Sequence, residues 1–401
     1  MRIKLFIFLT IILYSCGRNV NQKADGTIKV IDLFSEPESE IVKVSDIATD
    51  LEYIPLQTTE NSLVKSITKI VTCDNRFYIR NGYDDILCFD RKGDFLYKLN
   101  KAGRGPGEYT FITDFDVSSD NKLLIVLTSG KILVFKNTGM EFILDKSINL
   151  RQPFPSKISM IPGTTNILLS IDPITAPEQS LSILINSDCD TLFFKPNHYR
   201  YDKEKITTRY RMINESLQYK FENIACFKEE FSDTVFFVNR ETNEFLPRLI
   251  FDSHGKGFLP RVRYDVEYAK SNSTDLYWVY SIIETSRYII YTYEHNMTRN
   301  KMIYDKSENN KFKIGQMKFG EEFNNTLKDD LNGGPIFDPT YSHENNIYSS
   351  VDALALKKYV EGDDFNNTKV MDPNKKNELK KLADSLIETD NPLLLVMTPK
   401  K

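Results

Sequence analysis

The chain has 401 residues, 41% of them apolar, and carries a formal charge of −4. That apolar share sustains a real core, and 21 tyrosines and 26 phenylalanines against one tryptophan suit strands. Acidic and basic residues are interspersed, which leaves no electrostatic footprint for nucleic acid.

Residues 1–15 read as an export signal. Arg2 and Lys4 make a positive start, and Leu5 to Leu13 is an almost unbroken apolar run of signal-peptide length. It is shorter than the ~20 residues that span a bilayer. The run ends in Leu13-Tyr14-Ser15-Cys16, which resembles the lipobox of bacterial lipoproteins, where cleavage precedes the cysteine and lipid is attached to it. Cys16 is therefore the expected lipid attachment residue, and several acyl chains there would anchor the protein stably. An ordinary signal peptide containing a cysteine is the alternative; Leu13 at −3 and Ser15 at −1 favour the lipobox. Residues 16–30 read as the lipidated end and a polar tether. Gly17-Arg18-Asn19-Val20 lacks the acidic run that resembles a surface-export signal in Bacteroidota-type lipoproteins. The expected location is thus the bacterial envelope, on the periplasmic face of the outer membrane.

Residues 31–401 read as one all-β unit. Residues 41–56 supply β-rich chain, and then an apolar strand, a polar turn and a second strand begin to recur. The pattern occurs at 86–99 and 132–145, and more loosely at 183–194, 235–251 and 289–304. Aligning the last apolar residue before each turn gives Phe89, Phe135, Ile185, Val238 and Tyr293, in steps of 46, 50, 53 and 55 residues. A step near ~50 with this content is the mark of propeller blades. Each unit has an upstream strand, at 77–80, 123–127, 167–171 and 224–227; Leu123 to Leu127 is apolar on both pleat faces, as a strand between two blades should be. Residues 347–351 begin a sixth unit, and strands from both chain ends would close the ring.

Two stretches break the rhythm. Residues 201–222 read as a charged, aromatic loop over one face. Residues 373–388 read as a helix with Pro373 in its first turn and Leu379, Leu382, Ala383, Leu386 and Ile387 on one apolar face. Residues 393–397 follow as a buried strand. Of the cysteines after Cys16, Cys88 and Cys226 sit in apolar strand-like runs and read as buried free thiols; no CxxC or dense spacing asks for a disulfide at Cys73 or Cys189 either.

The chain resembles the six-bladed β-propeller lipoproteins of Bacteroidota, a family distantly like NHL-repeat propellers. The resemblance rests on the lipobox, 53-YIPLQTTENSLV-64, the FDRKGDF turn, 103-GRGPGEY-109, 232-SDTVFFV-238 with 258-FLP-260, 330-DLNGGPIF-337 and 390-DNPLL-394. It covers the mature chain, with its main departure at 201–222. It implies a six-bladed propeller and an envelope location, and no catalytic residues.

The loop 103–109 has no Lys-Ser/Thr pair, and strand-like sequence rather than a helix follows it, so it is not a phosphate cradle. Its glycines answer to backbone geometry in a connector between blades 1 and 2. Arg104 and Glu108 remain as ligand-contact candidates, projecting towards the central channel or pairing across it. His198, His254, His295 and His343 have no paired spacing and read as surface-loop residues, so no metal site is expected. Residues 361-EGDDFNNT-368 concentrate carboxylates and amides in a loop where calcium is conceivable, although EF-hand spacing is absent. No GxSxG elbow is present, and no other cofactor is implied. The expected function is a non-enzymatic, membrane-anchored binding or scaffold module for a glycan, peptide or envelope protein, with Tyr199, Tyr201, Tyr210 and Tyr219 as aromatic contacts. The alternative is an envelope hydrolase or lyase, which requires carboxylates, or a histidine and a carboxylate, converging at the propeller mouth with strongly shifted pKa values.

Overall fold

The computed structural model describes residues 28–41, 43–151, 154–172, 180–199 and 216–401. The export signal, Cys16, most of the tether, Tyr201 and Tyr210 lie outside the described residues.

Six blades form a ring, and the first strand of each lies innermost, touching its counterparts around a channel. Blade 1 comprises Ile67–Cys73, Arg76–Asn81, Asp85–Asp90 and Phe95–Leu99. Blade 2 comprises Asp114–Val117, Leu123–Thr128, Lys131–Asn137 and Phe142–Asn149. Lys157–Met160, Ile167–Ser170, Ser180–Ile185 and Thr191–Pro196 make blade 3. Leu217–Phe221, Ile224–Lys228, Thr234–Val238 and Phe245–Asp252 make blade 4. Blade 5 is Trp278–Glu284, Tyr288–His295, Thr298–Asp305 and Asn310–Lys318. Blade 6 joins Tyr341–His343, Asn346–Val351 and Leu393–Pro399 to an outermost strand from the other chain end, Ala48–Pro55.

The doubly apolar strands have a simple cause. Successive side chains point to opposite faces of a pleat, so one strand feeds two interfaces. Leu124 and Val126 pack against blade 1, whereas Ile125 and Leu127 pack against blade 3. Tyr78, Ile86 and Cys88 likewise face blade 2, while Phe77, Ile79, Leu87 and Phe89 face blade 6. Each of the six junctions between neighbouring blades has its own hydrophobic cluster. Cys88 and Cys226 are buried within these clusters as free thiols, as the sequence suggests, and Cys73 and Cys189 are free as well.

The N-terminal segment runs round half of the ring as a belt. Lys29–Asp32 adds a parallel strand to the outer edge of blade 4, and Ser39–Glu40 does the same on blade 5. Ala48–Pro55 then pairs antiparallel with Leu393–Pro399 and closes the ring at blade 6.

Four of the stretches that carried the family resemblance, 53–64, the FDRKGDF turn, 330–337 and 390–394, meet at this closure. Asn391 is buried; its Oδ1 accepts from Val64 N (2.9 Å), and its Nδ2 donates to the carbonyls of Gln57 (2.9 Å) and Ser62 (2.8 Å). Asp329 accepts from the Tyr53 hydroxyl (2.8 Å) and from the backbone N–H groups of Leu331, Asn332 and Gly334. Asn332 Nδ2 donates to the Leu51 carbonyl. Gly93, from the FDRKGDF turn, has φ +92°, and a Cβ there would lie 2.1 Å from the Pro55 carbonyl oxygen. Only glycine fits that approach.

Three sequence expectations require correction. Tyr293 lies in the second strand of blade 5, not the third; its true counterpart is Tyr304, 66 residues after Val238. The hairpin of strands two and three resembles that of strands three and four, and the helices Arg261–Tyr264 and Val266–Asn272 lengthen the connector before blade 5. Secondly, 361–368 is not an open loop: Asp363–Asn367 is helical, following a further helix at Ala353–Glu361. Lys376 Nζ already occupies the Thr368 carbonyl (2.7 Å) and the Asn366 carbonyl (3.3 Å), backbone oxygens that a cation there would use. Thirdly, the C-terminal helix is Pro373–Ser385, with the Asp372 carboxylate accepting from Asn374 N as its cap. Leu379 and Ala383 are buried and Leu382 packs beside them, whereas Ile387, beyond the helix, is exposed.

Candidate ligand-binding channel

The inner strands are short and alternate channel-facing with blade-facing side chains, so their polar residues fall on the channel wall. Asp114 and Asp116, Lys157 and Ser159, and Gln218 and Lys220 are such pairs, and all line a cavity of about 510 Å³ at the end where the inner strands begin. That volume is typical of small-molecule sites. A second cavity of about 280 Å³ lies at the opposite end, beside Thr72, Cys73, Glu284 and Glu344. Lys220 and His343 line both and form the neck between them.

The three acids of the wide cavity are locked in ion pairs. Lys69 Nζ lies 2.8 Å from Asp114 Oδ1, and the other Asp114 oxygen accepts from Ile158 N (3.0 Å) in the next blade. Lys220 Nζ lies 2.6 Å from Asp116 Oδ2, which also accepts from Met160 N (2.7 Å). Lys301 pairs with Asp338. Glu284 is gripped by Arg248, by Lys306 (3.1 Å) and by the Tyr219 hydroxyl (2.9 Å).

Protonation follows from this wiring. Burial opposes ionisation of Asp114, but Lys69, Lys157 and Arg80 together hold its pKa below the ordinary carboxylate value. Glu284 is likewise held low against its own burial by Arg248, Lys306 and Tyr219. His343 is pushed down to about 4 by burial, with Lys220 and Lys69 adding to the effect and Asp116 opposing it. Its ring is neutral at pH 7, with Nδ1 2.7 Å from the Thr72 hydroxyl of blade 1. Asp114 and Glu284 are thus committed as ionised partners of fixed cations, which is the reverse of the raised pKa that a general acid needs.

The two ligand-contact candidates of the blade 1–2 connector sit elsewhere. Loop 100–113 does connect blades 1 and 2. Arg104 and Glu108 are exposed on it and line neither cavity. The Glu108 carboxylate turns back to accept from Gly105 N (2.8 Å) and lies close over Gly103. Buried Tyr109 pins the loop by donating its hydroxyl to the Leu99 carbonyl (3.2 Å). Tyr199 packs edge-on against Phe231, and Tyr219 belongs to the inner strand of blade 4 rather than to a loop. His198 and His254 are on exposed loops as expected, but His295 ends a strand and stacks on Tyr277 at 3.9 Å, and His343 is in the channel. Among the described residues, no group of three or more His, Cys, Asp or Glu is placed to hold a metal ion. Of the residues lining the wide cavity, Tyr219 reads from the sequence as an aromatic contact and His343 as a surface-loop histidine, whereas the charged residues of the wall do not stand out; charges alternating inside short apolar strands, as in 114-DFDV-117, are the available signal.

A ring of six blades with a channel through it defines a six-bladed β-propeller. The chain belongs to the family defined as a domain of unknown function, DUF4934, whose model matches residues 27–398. No curated protein matches it. Among solved structures it is similar to a protein of Bacteroides fragilis NCTC 9343 provisionally designated as exported, with 20% identity, a TM-score of 0.66, and coverage of 94% of this chain and 100% of that one. At that identity the likeness speaks for the fold. The structure of U3-55K matches at 12% identity and TM-score 0.42 over 87% of this chain and 98% of that one. The WD40 repeats of RRP9 match at 11% identity and TM-score 0.42 over 88% and 98%. Among the described residues, no helix is long and apolar enough to cross a membrane.

Proposed function

We propose that the protein is an exported, lipid-anchored binding module of the bacterial envelope that takes its ligand at the wide mouth of the propeller channel. The wall of that mouth carries the reading. A cavity of small-molecule size is lined by charged side chains, its three acids fixed in ion pairs, and Asp114, the acid there whose titration is displaced, is displaced downwards. Such a surface can orient a ligand through hydrogen bonds and charge. Export is supported by the signal ending at Cys16 and by the designation of the Bacteroides fragilis relative as exported.

Screening the protein against arrays of neutral and acidic glycans and of peptides tests the binding role. Ser281 lines the wide cavity, and Ser281→Trp puts an indole into it; ligands held by the parent are expected to be lost from the variant. Retention by the variant, or turnover of a captured glycan or peptide, would overturn the reading. The anchor is tested by Cys16→Ala, which is expected to abolish incorporation of labelled fatty acid; unchanged acylation would sink it.

A further inference from the structure

We infer that the wide mouth of the channel is an oxyanion site in which Lys157 and Arg80 receive a carboxylate, sulfate or phosphate group. This rests on the binding-module reading and adds the class of ligand to it.

The charge balance of the wall is the first support. Among the described residues, Lys69, Arg80, Lys157, Lys220 and Lys301 face Asp114, Asp116 and Asp338 across the cavity, a surplus of two positive charges in a chain whose net charge is −4. Each carboxylate is already taken by one lysine: Asp114 by Lys69, Asp116 by Lys220 and Asp338 by Lys301. The surplus therefore sits on Arg80 and Lys157. Both lie close enough to Asp114 to influence it, and Arg80 close enough to influence Lys157, so the two unspent cations share one corner of the mouth.

Geometry is the second support. Arg80 is held rigidly: its Nε donates to Thr68 Oγ1 (2.7 Å) and one terminal nitrogen donates to the Thr113 carbonyl. Thr68 is fixed in turn by donating to the carbonyls of Arg80 (3.0 Å) and Gly82 (3.1 Å). The other terminal nitrogen of Arg80 has no hydrogen bond among the described residues. A guanidinium oriented in advance loses little freedom on meeting an oxyanion. Lys157, on the inner strand of blade 3, lines the same cavity with neither a hydrogen bond nor an ion pair for its ammonium among the described residues. Asp114, already paired with Lys69, and Asp172, outside the cavity lining, are the acids that attract it.

Burial pushes the Lys157 pKa below the ordinary lysine value; Asp114 pulls the other way, and Lys69 and Arg80 add to the depression. An ammonium kept there without a partner weakens the empty protein. An arriving oxyanion supplies both the countercharge and the acceptors. A local rule broken without a structural return is a mark of a functional position.

Calorimetric titration of the purified protein with inorganic sulfate, inorganic phosphate, glucuronate and neutral glucose at low ionic strength tests the inference. At least one oxyanion is expected to bind and glucose is not. Losing one charge-assisted contact makes Lys157→Gln weaken binding by about tenfold or more, while Lys157→Arg retains it. Binding of the inorganic ions alone identifies a free-anion site, and binding of glucuronate as well identifies an organic acid. The Lys157→Gln protein is expected to melt no lower than the parent, since it sheds a repelled charge; a large fall would assign Lys157 a structural role and overturn the inference. So would failure of all three oxyanions, or equal binding by parent and variant. Should glucose bind as well as glucuronate, with both lost in Ser281→Trp, the oxyanion inference falls and the binding-module reading stands.

Discussion

Blades 1–3 and blades 4–6 solve the same architectural problem by different means. Blades 1–3 are consecutive four-stranded hairpin sheets, each made from one continuous segment, and their outer strands carry no further partner. Blades 4–6 each carry an added outer strand from the N-terminal belt, and blade 6 cannot be completed without it. Most of the helices also belong to this half: Val44–Ile47, Ala353–Glu361 and Pro373–Ser385 all contribute to the cluster at the junction of blades 5 and 6. The first half is thus held by contacts close in sequence, whereas the second is held by contacts some 300 residues apart, such as Asn391 with Val64 or Ser62. Such non-local closure forms only after the loop entropy of nearly the whole chain has been overcome.

The largest effect is expected from removing the belt. A chain truncated to begin after Gln57 loses the outer strand of blade 6 and the Tyr53–Asp329 and Leu51–Asn332 contacts. It is expected to yield no folded monomer by circular dichroism and size-exclusion chromatography. Truncation only to Glu40 removes the two short parallel strands and is expected to leave a folded ring with a lower melting temperature. Equal behaviour of the two truncations would erase the distinction between closing strand and trimming strands.

A pair of glycines sharpens the same contrast. Gly93 and Gly255 both have positive φ, +92° and +80°. A Cβ on Gly255 meets nothing within 4 Å, whereas one on Gly93 strikes the Pro55 carbonyl of the closing strand. Gly255→Ala is expected to cost about 1 kcal/mol, the left-handed backbone penalty alone. Gly93→Ala adds a backbone collision and is expected to cost about 3 kcal/mol or more by denaturant unfolding. Similar losses at the two positions would mean that the closure yields freely.

How far the sequence discloses this molecule follows from the same division. Phe89, Phe135, Ile185 and Val238 are equivalent residues of successive blades, and the period is legible there because each blade is a continuous segment. The period fails at Tyr293 because the helical insertion after Phe258 resets the spacing while the next hairpin looks like its predecessors. The GRGPGEY loop was legible as a connector because glycine demands are local. The channel was not legible, since Lys157, Arg80, Asp114 and His343 stand on four blades and each looks like an ordinary polar residue in its own strand. Only the ring brings them together.

A pH-dependent effect lies at the inner end of the closure. His343 Nδ1 meets the Thr72 hydroxyl, and Tyr341 donates to the Ile67 carbonyl, so the innermost strand of blade 6 is fastened to that of blade 1 by two side-chain hydrogen bonds. The folded pKa of His343, about 4, lies below its ordinary value of 6.5. Between those values the unfolded chain binds the extra proton, so stability is complete above pH 6.5 and is lost as pH falls through 4. With solvent reaching the channel, the loss is expected to be on the order of 2 kcal/mol. Protonation would set a cation beside Lys220 and Lys69, with Asp116 the one acid opposing it. Glu344, whose pKa burial raises, works in the contrary direction at the acid end. His343→Gln keeps an acceptor for Thr72 but cannot charge. The difference in denaturant stability between parent and variant is therefore expected to grow in favour of the variant from pH 6.5 to 4; a difference independent of pH would show that the closure is insensitive to this histidine's charge.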